Sequence, residues 1–142
     1  MATQAEVVAA ARGWIGTPFQ HQARLRGVGV DCIGVVVGVA RELGLSDYDI
    51  SGYGAAPYAA LVTREADDHM DRVPITAMRA GDVLMLRIEN DPQHFGIVTE
   101  VPGAGGVARF VHAFSKVGRC VETSLDRFWH SRVVAVYRFR GL

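Results

Sequence analysis

Lysine is almost missing from this chain: of fifteen basic residues only Lys116 is lysine, and the other fourteen are arginine. A GC-rich genome accounts for that bias as readily as a binding role does, so it carries no functional weight. Net charge is missing too. Fifteen acidic residues balance the fifteen basic ones, so no overall field recommends nucleic acid or an anionic membrane as a partner. No apolar run approaches the roughly 20 residues that span a bilayer. The longest, Cys32 to Ala40, reads as a buried element, and no membrane insertion is expected. Residues Met1 to Glu6 lack a basic stretch followed by an apolar one, so no secretory signal is expected. The expectation is a protein made in the cytoplasm and, if it acts outside, delivered by a route other than Sec. The two cysteines, Cys32 and Cys120, do not suggest a disulfide scaffold, although the sequence leaves a bridge between them open. Repeats and low-complexity tracts are absent.

What is present suits a single domain spanning residues 1–142, since 49% hydrophobic and 21% charged residues support a real core. Val7, Val8, Ala10, Ala11 and Trp14 form a helical stripe over Thr3 to Trp14, with Gly13 and Gly16 near its end. A turn at Gly16-Thr-Pro-Phe19 and a glycine-spaced loop over Arg26–Val30 follow. Asp31 is a good N-cap for a helix running to about Leu43, with Gly44 as its stop. Val35-Val-Val37 favours a strand on propensity, but the start and stop signals favour a helix, and its apolar surface nearly all round makes it central and buried. Ser51-Gly-Tyr-Gly54 reads as a loop, Tyr58 to Met70 as helical, and Asp67–Asp71 as a solvated end. From Gly81 onward the texture is strands: Asp82–Ile88, Phe95–Glu100, Val107–Phe114, Arg119–Glu122 and Val133–Phe139. Turn residues such as Asn90-Asp-Pro92 and Pro102 to Gly106 separate them. Helices first and strands afterwards predict an α+β domain, an antiparallel sheet with a helix packed on one face.

Cys32 falls at the first turn of the buried helix, where partial positive charge and unpaired N–H groups stabilise a thiolate over a thiol. His94 opens the strand His94-Phe-Gly-Ile-Val98, so its ring can stand at the sheet edge facing the helix start. His112, in Phe110-Val-His-Ala-Phe114, belongs on the neighbouring strand, where it can hydrogen-bond His94 and hold one tautomer. Nucleophile, base and orienter is the logic of covalent acyl transfer.

Gly16-Thr-Pro-Phe, Gly27-Val-Gly-Val-Asp-Cys-Ile-Gly34, Gly81-Asp-Val-Leu, His94-Phe-Gly-Ile-Val and Val111-His-Ala resemble the NlpC/P60 peptidases in order and spacing. Gln20-His-Gln22 and the tail Phe128 to Phe139 resemble the branch encoded among phage and gene-transfer-agent tail genes. The resemblance covers nearly the whole chain and is weakest over residues 45–78. It implies a papain-like α+β fold with the nucleophile at the start of a central packed helix. It also implies hydrolysis of amide bonds in peptidoglycan stem peptides, usually between D-γ-glutamyl and a diamino acid. On that reading Cys32 attacks the carbonyl carbon, His94 takes and returns the proton, and the backbone N–H of Cys32 is the oxyanion donor. No cofactor is called for. Family members usually carry tyrosine where Phe19 stands. Phenylalanine keeps the ring and loses the hydroxyl, so either His21 or Gln22 supplies the donor or the enzyme is slow. Isoleucine at position 33 replaces the commoner serine and is expected to face the core.

Blander readings apply to several of these residues. Asp31 is more often a cap than an acid–base group, His112 can be a satisfied core histidine, and His21 and Gln22 can simply shape a loop. Cys120, His69 and His130 match no catalytic motif, and Asp82 reads as a turn residue entering its strand. Cys32, His94 and His112 are chemically adequate zinc ligands, but no His-x-x-x-His or Cys-x-x-Cys pairing supports a metal. Two functional classes follow. One is a tail-associated endopeptidase that acts on peptidoglycan in the periplasm of a target cell, with tail hub or baseplate proteins as partners. The other is a degenerate domain kept as a plug or hub subunit, which Phe19 favours. A third reading, a papain-like amidase or acyltransferase, differs in the bond it cuts.

Overall fold

The computed structural model describes residues 2–54, 59–88, 91–103 and 105–142, and the side chains of residues 59 and 91–93 fall outside that description. The first helix, α1 (Gln4–Arg12), begins at Thr3, whose side chain accepts from the Glu6 backbone while Glu6 reaches back to Thr3. This reciprocal capping box satisfies two backbone donors that the first turn leaves unpaired. Between the first two helices the glycine-spaced segment is a short hairpin rather than a plain loop, β1 (Arg24–Leu25) pairing antiparallel with β2 (Gly29–Val30).

The central helix α2 (Cys32–Glu42) starts and stops where the sequence signals fall, with Asp31 as its N-cap and Gly44 beyond it at φ 68°. Tertiary burial overrides the strand propensity of Val35–Val37. Ile33, Val35, Val37 and Val39 are all buried. The third helix, α3 (Ala59–His69), leads directly into β3 (Met70–Val73). Asp67, Asp68, His69 and Asp71 are exposed, as a solvated end requires, but Met70 is buried and with Asp71 opens an edge strand paired with the last strand of the chain. Tyr58, expected to begin the helix, lies outside the described residues, as do Asn90 and Ala104 of the expected turns.

The remaining strands are β4 (Val83–Ile88), β5 (Asp91–Glu100), β6 (Arg109–Phe114), β7 (Arg119–Ser124) and β8 (Val133–Phe139). With β3 they form one six-stranded sheet in the order β3-β8-β4-β5-β6-β7, antiparallel at every pairing. The α+β expectation holds. A short helix unseen in the sequence, α4 (Arg127–His130), is capped by Asp126, which accepts from the Trp129 backbone. Asp82 is no simple turn residue either: it is buried and pairs with Arg138 at 2.8 Å.

Side chains alternate across a strand, and the two faces of the sheet differ accordingly. Val83, Met85, Phe95, Ile97, Val111, Ala113, Ala135 and Tyr137 share a core with α1 and α2. Leu84, Leu86, Val98, Phe110 and Val136 face the other way, onto Leu125 and Trp129. Among the described residues, no helix is long and apolar enough to cross a membrane.

Candidate active site

The site is built where the start of α2 meets the start of β5. Asp31, 3% exposed, holds the helix start by accepting the Gly34 N–H at 2.8 Å. Gly34 is required there. A Cβ would stand 2.7 Å from the Ala23 carbonyl oxygen, because the preceding loop crosses close over the helix. The same carboxylate accepts from Arg24 Nη1 at 2.9 Å, from the Gln22 backbone at 2.8 Å and from the Tyr53 hydroxyl at 2.5 Å. Arg24 in turn donates to the Tyr53 hydroxyl at 2.6 Å and pairs with Asp49 at 3.2 Å. A buried charge is tolerated only when paired and hydrogen-bonded, and these four donors fill the carboxylate's acceptor directions. Asp31 is therefore a cap and an anchor for two loops. Arg24 and Tyr53 carry no local sequence signal that singles them out.

Cys32 is buried, and the backbone N–H groups of Phe95, Ile33 and Cys32 itself face its sulfur. Those donors favour the thiolate, as the helix-start position leads one to expect. Burial and the neighbouring Asp31 charge outweigh them and push the thiol up to about 12. Desolvation of a small buried anion thus opposes the thiolate that the helix start favours.

Phe95 directly follows His94, so the strand that carries His94 passes the Cys32 sulfur at the Phe95 backbone. His94 Nε2 lies 2.7 Å from His112 Nδ1, and His112 Nε2 lies 3.0 Å from Thr123 Oγ1. The pairing follows from register. Ile97 stands opposite Val111, which sets His112 across from Gly96 and diagonal to His94. Gly96 is the second glycine the site needs, since a Cβ there would stand 2.7 Å from the Phe110 ring. Both imidazoles share the sheet face opposite α2 and lean on an aromatic nest. Trp129 lies 6.0 Å from His94 and 5.1 Å from His112, and Phe114 lies 5.3 Å from His94. The ring of His94 is thus tied to that nest rather than simply turned toward the helix start. Burial, reinforced by the neighbouring His112, lowers His94 to about 3, and burial lowers His112 to about 4. Both rings are neutral at ordinary pH.

Phe19 bridges Val30 and donates its N–H to the Gly118 carbonyl at 2.9 Å, with its ring against the core. The two candidate replacement donors are engaged elsewhere. His21 Nε2 lies 3.0 Å from the Tyr53 carbonyl, and Gln22 Nε2 donates to the same oxygen at 2.6 Å. Gln22 takes a left-handed backbone at φ 60°, unusual outside glycine, which lets its amide also receive the Gly52 N–H at 3.2 Å. Ile33 is buried as expected. Thr123 and Trp129 were not singled out by the sequence, and only the strand register and α4 bring them to the histidines.

A thiol at a helix start, with backbone donors around it and linked imidazoles at the adjoining strand, has the parts needed for covalent acyl transfer. The chain belongs to the NlpC/P60 family, whose model matches residues 16–138. Among solved structures, the NlpC/P60 domain of the peptidoglycan hydrolase SagA superposes with a TM-score of 0.65 at 23% identity, covering 96% of this chain and 98% of that one. A lipoprotein-like NLP/P60 protein from Staphylococcus aureus subsp. aureus Mu50 superposes with a TM-score of 0.64 at 20% identity, over 96% of this chain and 41% of that one. An NlpC/P60 family protein from Bacillus cereus ATCC 10987 gives a TM-score of 0.69 at 13% identity, over 97% and 40%. The chain thus spans about two fifths of the latter two proteins, and at these identities the likeness establishes the papain-like NlpC/P60 fold. No curated protein matches the sequence.

Proposed function

We propose that the protein is a cysteine endopeptidase that cuts amide bonds in peptidoglycan stem peptides, with the D-γ-glutamyl–diamino acid bond as its target. Membership of a family whose members are typically peptidoglycan cysteine peptidases supports the reaction class. The observation that carries the reading is the junction at Phe95, where the Cys32 sulfur and the strand bearing His94 come together. In this scheme His94 Nδ1 receives the thiol proton, because Nε2 is engaged with His112. The sulfur then attacks the substrate carbonyl carbon. The oxyanion draws on the Cys32 backbone N–H, and losing one such donor typically costs about 100- to 1000-fold in rate. Return of the proton to the leaving amine gives a thioester. Water, deprotonated by His94, cleaves that thioester and restores the thiol.

The resting pair in this scheme is neutral thiol and neutral imidazole, since burial disfavours both ions. Proton transfer and attack then proceed together rather than from a preformed ion pair. The tail-like segments Gln20–Gln22 and Phe128–Phe139 support a place in a phage-like or gene-transfer-agent tail. Hub or baseplate proteins would be its partners and the target cell's periplasm its site of action. The test is digestion of Gram-negative peptidoglycan by wild type and Cys32→Ala, with released muropeptides read by mass spectrometry. Stem-peptide cleavage by wild type alone is expected, and the product masses name the bond.

One observation favours a second reading. Phe19 lacks the family's usual hydroxyl, and His21 and Gln22 are bound to Tyr53. A domain retired to a structural plug would cut nothing even under reducing conditions and free of tail partners.

A further inference from the structure

The histidine pair does not end at His112. On the same sheet face, Thr123 stands opposite Phe110, placing its hydroxyl 3.0 Å from His112 Nε2. Three groups therefore form one line: His94 Nε2 to His112 Nδ1 at 2.7 Å, then His112 Nε2 to Thr123 Oγ1. Each neutral imidazole has one donor nitrogen and one acceptor nitrogen, so choosing the donor at one end fixes every bond in the line.

For His94 to take a proton at Nδ1, its own proton must reside on Nε2. That N–H donates to His112 Nδ1, which must be bare, so the proton of His112 is on Nε2 and needs an acceptor. Thr123 Oγ1 is that acceptor. In the opposite arrangement His112 Nδ1–H donates to His94 Nε2, and the proton of His94 moves to Nδ1, closing it to the thiol. Rings packed among Phe110, Phe114 and Trp129 have little room to turn over, so the choice between arrangements is made by protons.

We propose that Thr123 is a positioning residue whose hydroxyl, by accepting from His112 Nε2, holds both imidazoles in the tautomers that leave His94 Nδ1 free to act as base. The inference rests on the cysteine-peptidase reading above. Its chemistry explains why an apolar group of the same shape would not serve. Facing a methyl, an Nε2–H would be a buried donor without a partner, whereas a bare Nε2 is an unused acceptor, the less costly of the two. The line would then invert and block the base.

The test compares Thr123→Val, which is isosteric, with Thr123→Ser, which keeps the hydroxyl. Nitrogen-15 chemical shifts of the imidazoles report each tautomer without substrate. Wild type and Thr123→Ser are expected to carry the His112 proton on Nε2, and Thr123→Val on Nδ1. In peptidoglycan digestion, kcat is expected to fall at least about tenfold in Thr123→Val and to stay within about threefold in Thr123→Ser, with KM little changed. A wild-type His112 protonated on Nδ1, or a folded Thr123→Val with unchanged tautomers, overturns the proposal. Because the tautomers are read without turnover, an inactive wild type counts against the peptidase reading while leaving the role of Thr123 to be decided by the shifts.

Discussion

Two buried polar groups flank Cys32, and they are stabilised in opposite ways. Asp31 is a charge, and the fold surrounds it with an arginine, a tyrosine hydroxyl and two backbone donors. His94 and His112 are kept uncharged, and the fold gives them each other, one threonine hydroxyl and three aromatic rings. An ion in a low-dielectric interior must have its solvation replaced group by group, whereas a neutral ring needs only its two nitrogens satisfied. The cysteine lies between these solutions and follows the second, remaining a neutral thiol because burial and the adjacent carboxylate both oppose the anion.

Removing one side of the charged cluster is expected to have the largest effect on the fold. Asp31→Ala takes from the half-buried Arg24 its buried counter-charge, leaving only the more exposed Asp49, and uncaps α2, and should cost about 3 kcal/mol. A lower midpoint in urea at unchanged slope checks this. A loss below about 1 kcal/mol would mean that the cluster contributes no more than an exposed pair.

Acid tests the neutral side. Both imidazoles are lowered in the folded state, His94 to about 3 and His112 to about 4. The unfolded chain therefore binds more protons once the pH falls below about 6.5, and stability declines with falling pH down to those folded values. The decline is about 1.4 kcal/mol per pH unit for each ring, or about 3 kcal/mol for both at one unit below 6.5. Urea melts between pH 7 and 5 measure it, and the double variant His94→Asn, His112→Asn should flatten the slope. An equally steep slope in that variant would place the acid sensitivity elsewhere.

The smallest effect distinguishes the link between the loops from the charge itself. Tyr53→Phe keeps the ring beside His21 but removes the hydroxyl that donates to Asp31 and receives Arg24. A loss of about 1 kcal/mol is expected, with faster amide exchange across residues 48–54. Exchange unchanged in that loop would show that the Tyr53 carbonyl, held by Gln22 and His21, is sufficient to anchor it.

Much of this architecture was legible in the chain because the signals were local. Asp31 before an apolar run and Gly44 after it mark α2, and short β-rich runs set off by turn residues mark β4, β6 and β8. The Thr3-x-x-Glu6 capping box is an equally local signal for the start of α1. The edge strand β3 was hidden because Met70-Asp-Arg-Val73 has no strand pattern of its own and exists by pairing with β8. The helix α4 is one turn long, too short for periodicity to show.

By itself the sequence determined the fold class and family, the central helix with Cys32 at its start, and the strands that carry His94 and His112. Those features depend on side-chain type and spacing within a few residues, which the chain states directly. Only the tertiary structure decided the rest: Arg24 and Tyr53 as partners of Asp31, Thr123 and Trp129 as neighbours of the histidines, and the protonation of the thiol and imidazoles. Each of these depends on cross-strand register, loop closure and depth of burial, which are set by contacts between residues far apart in the chain.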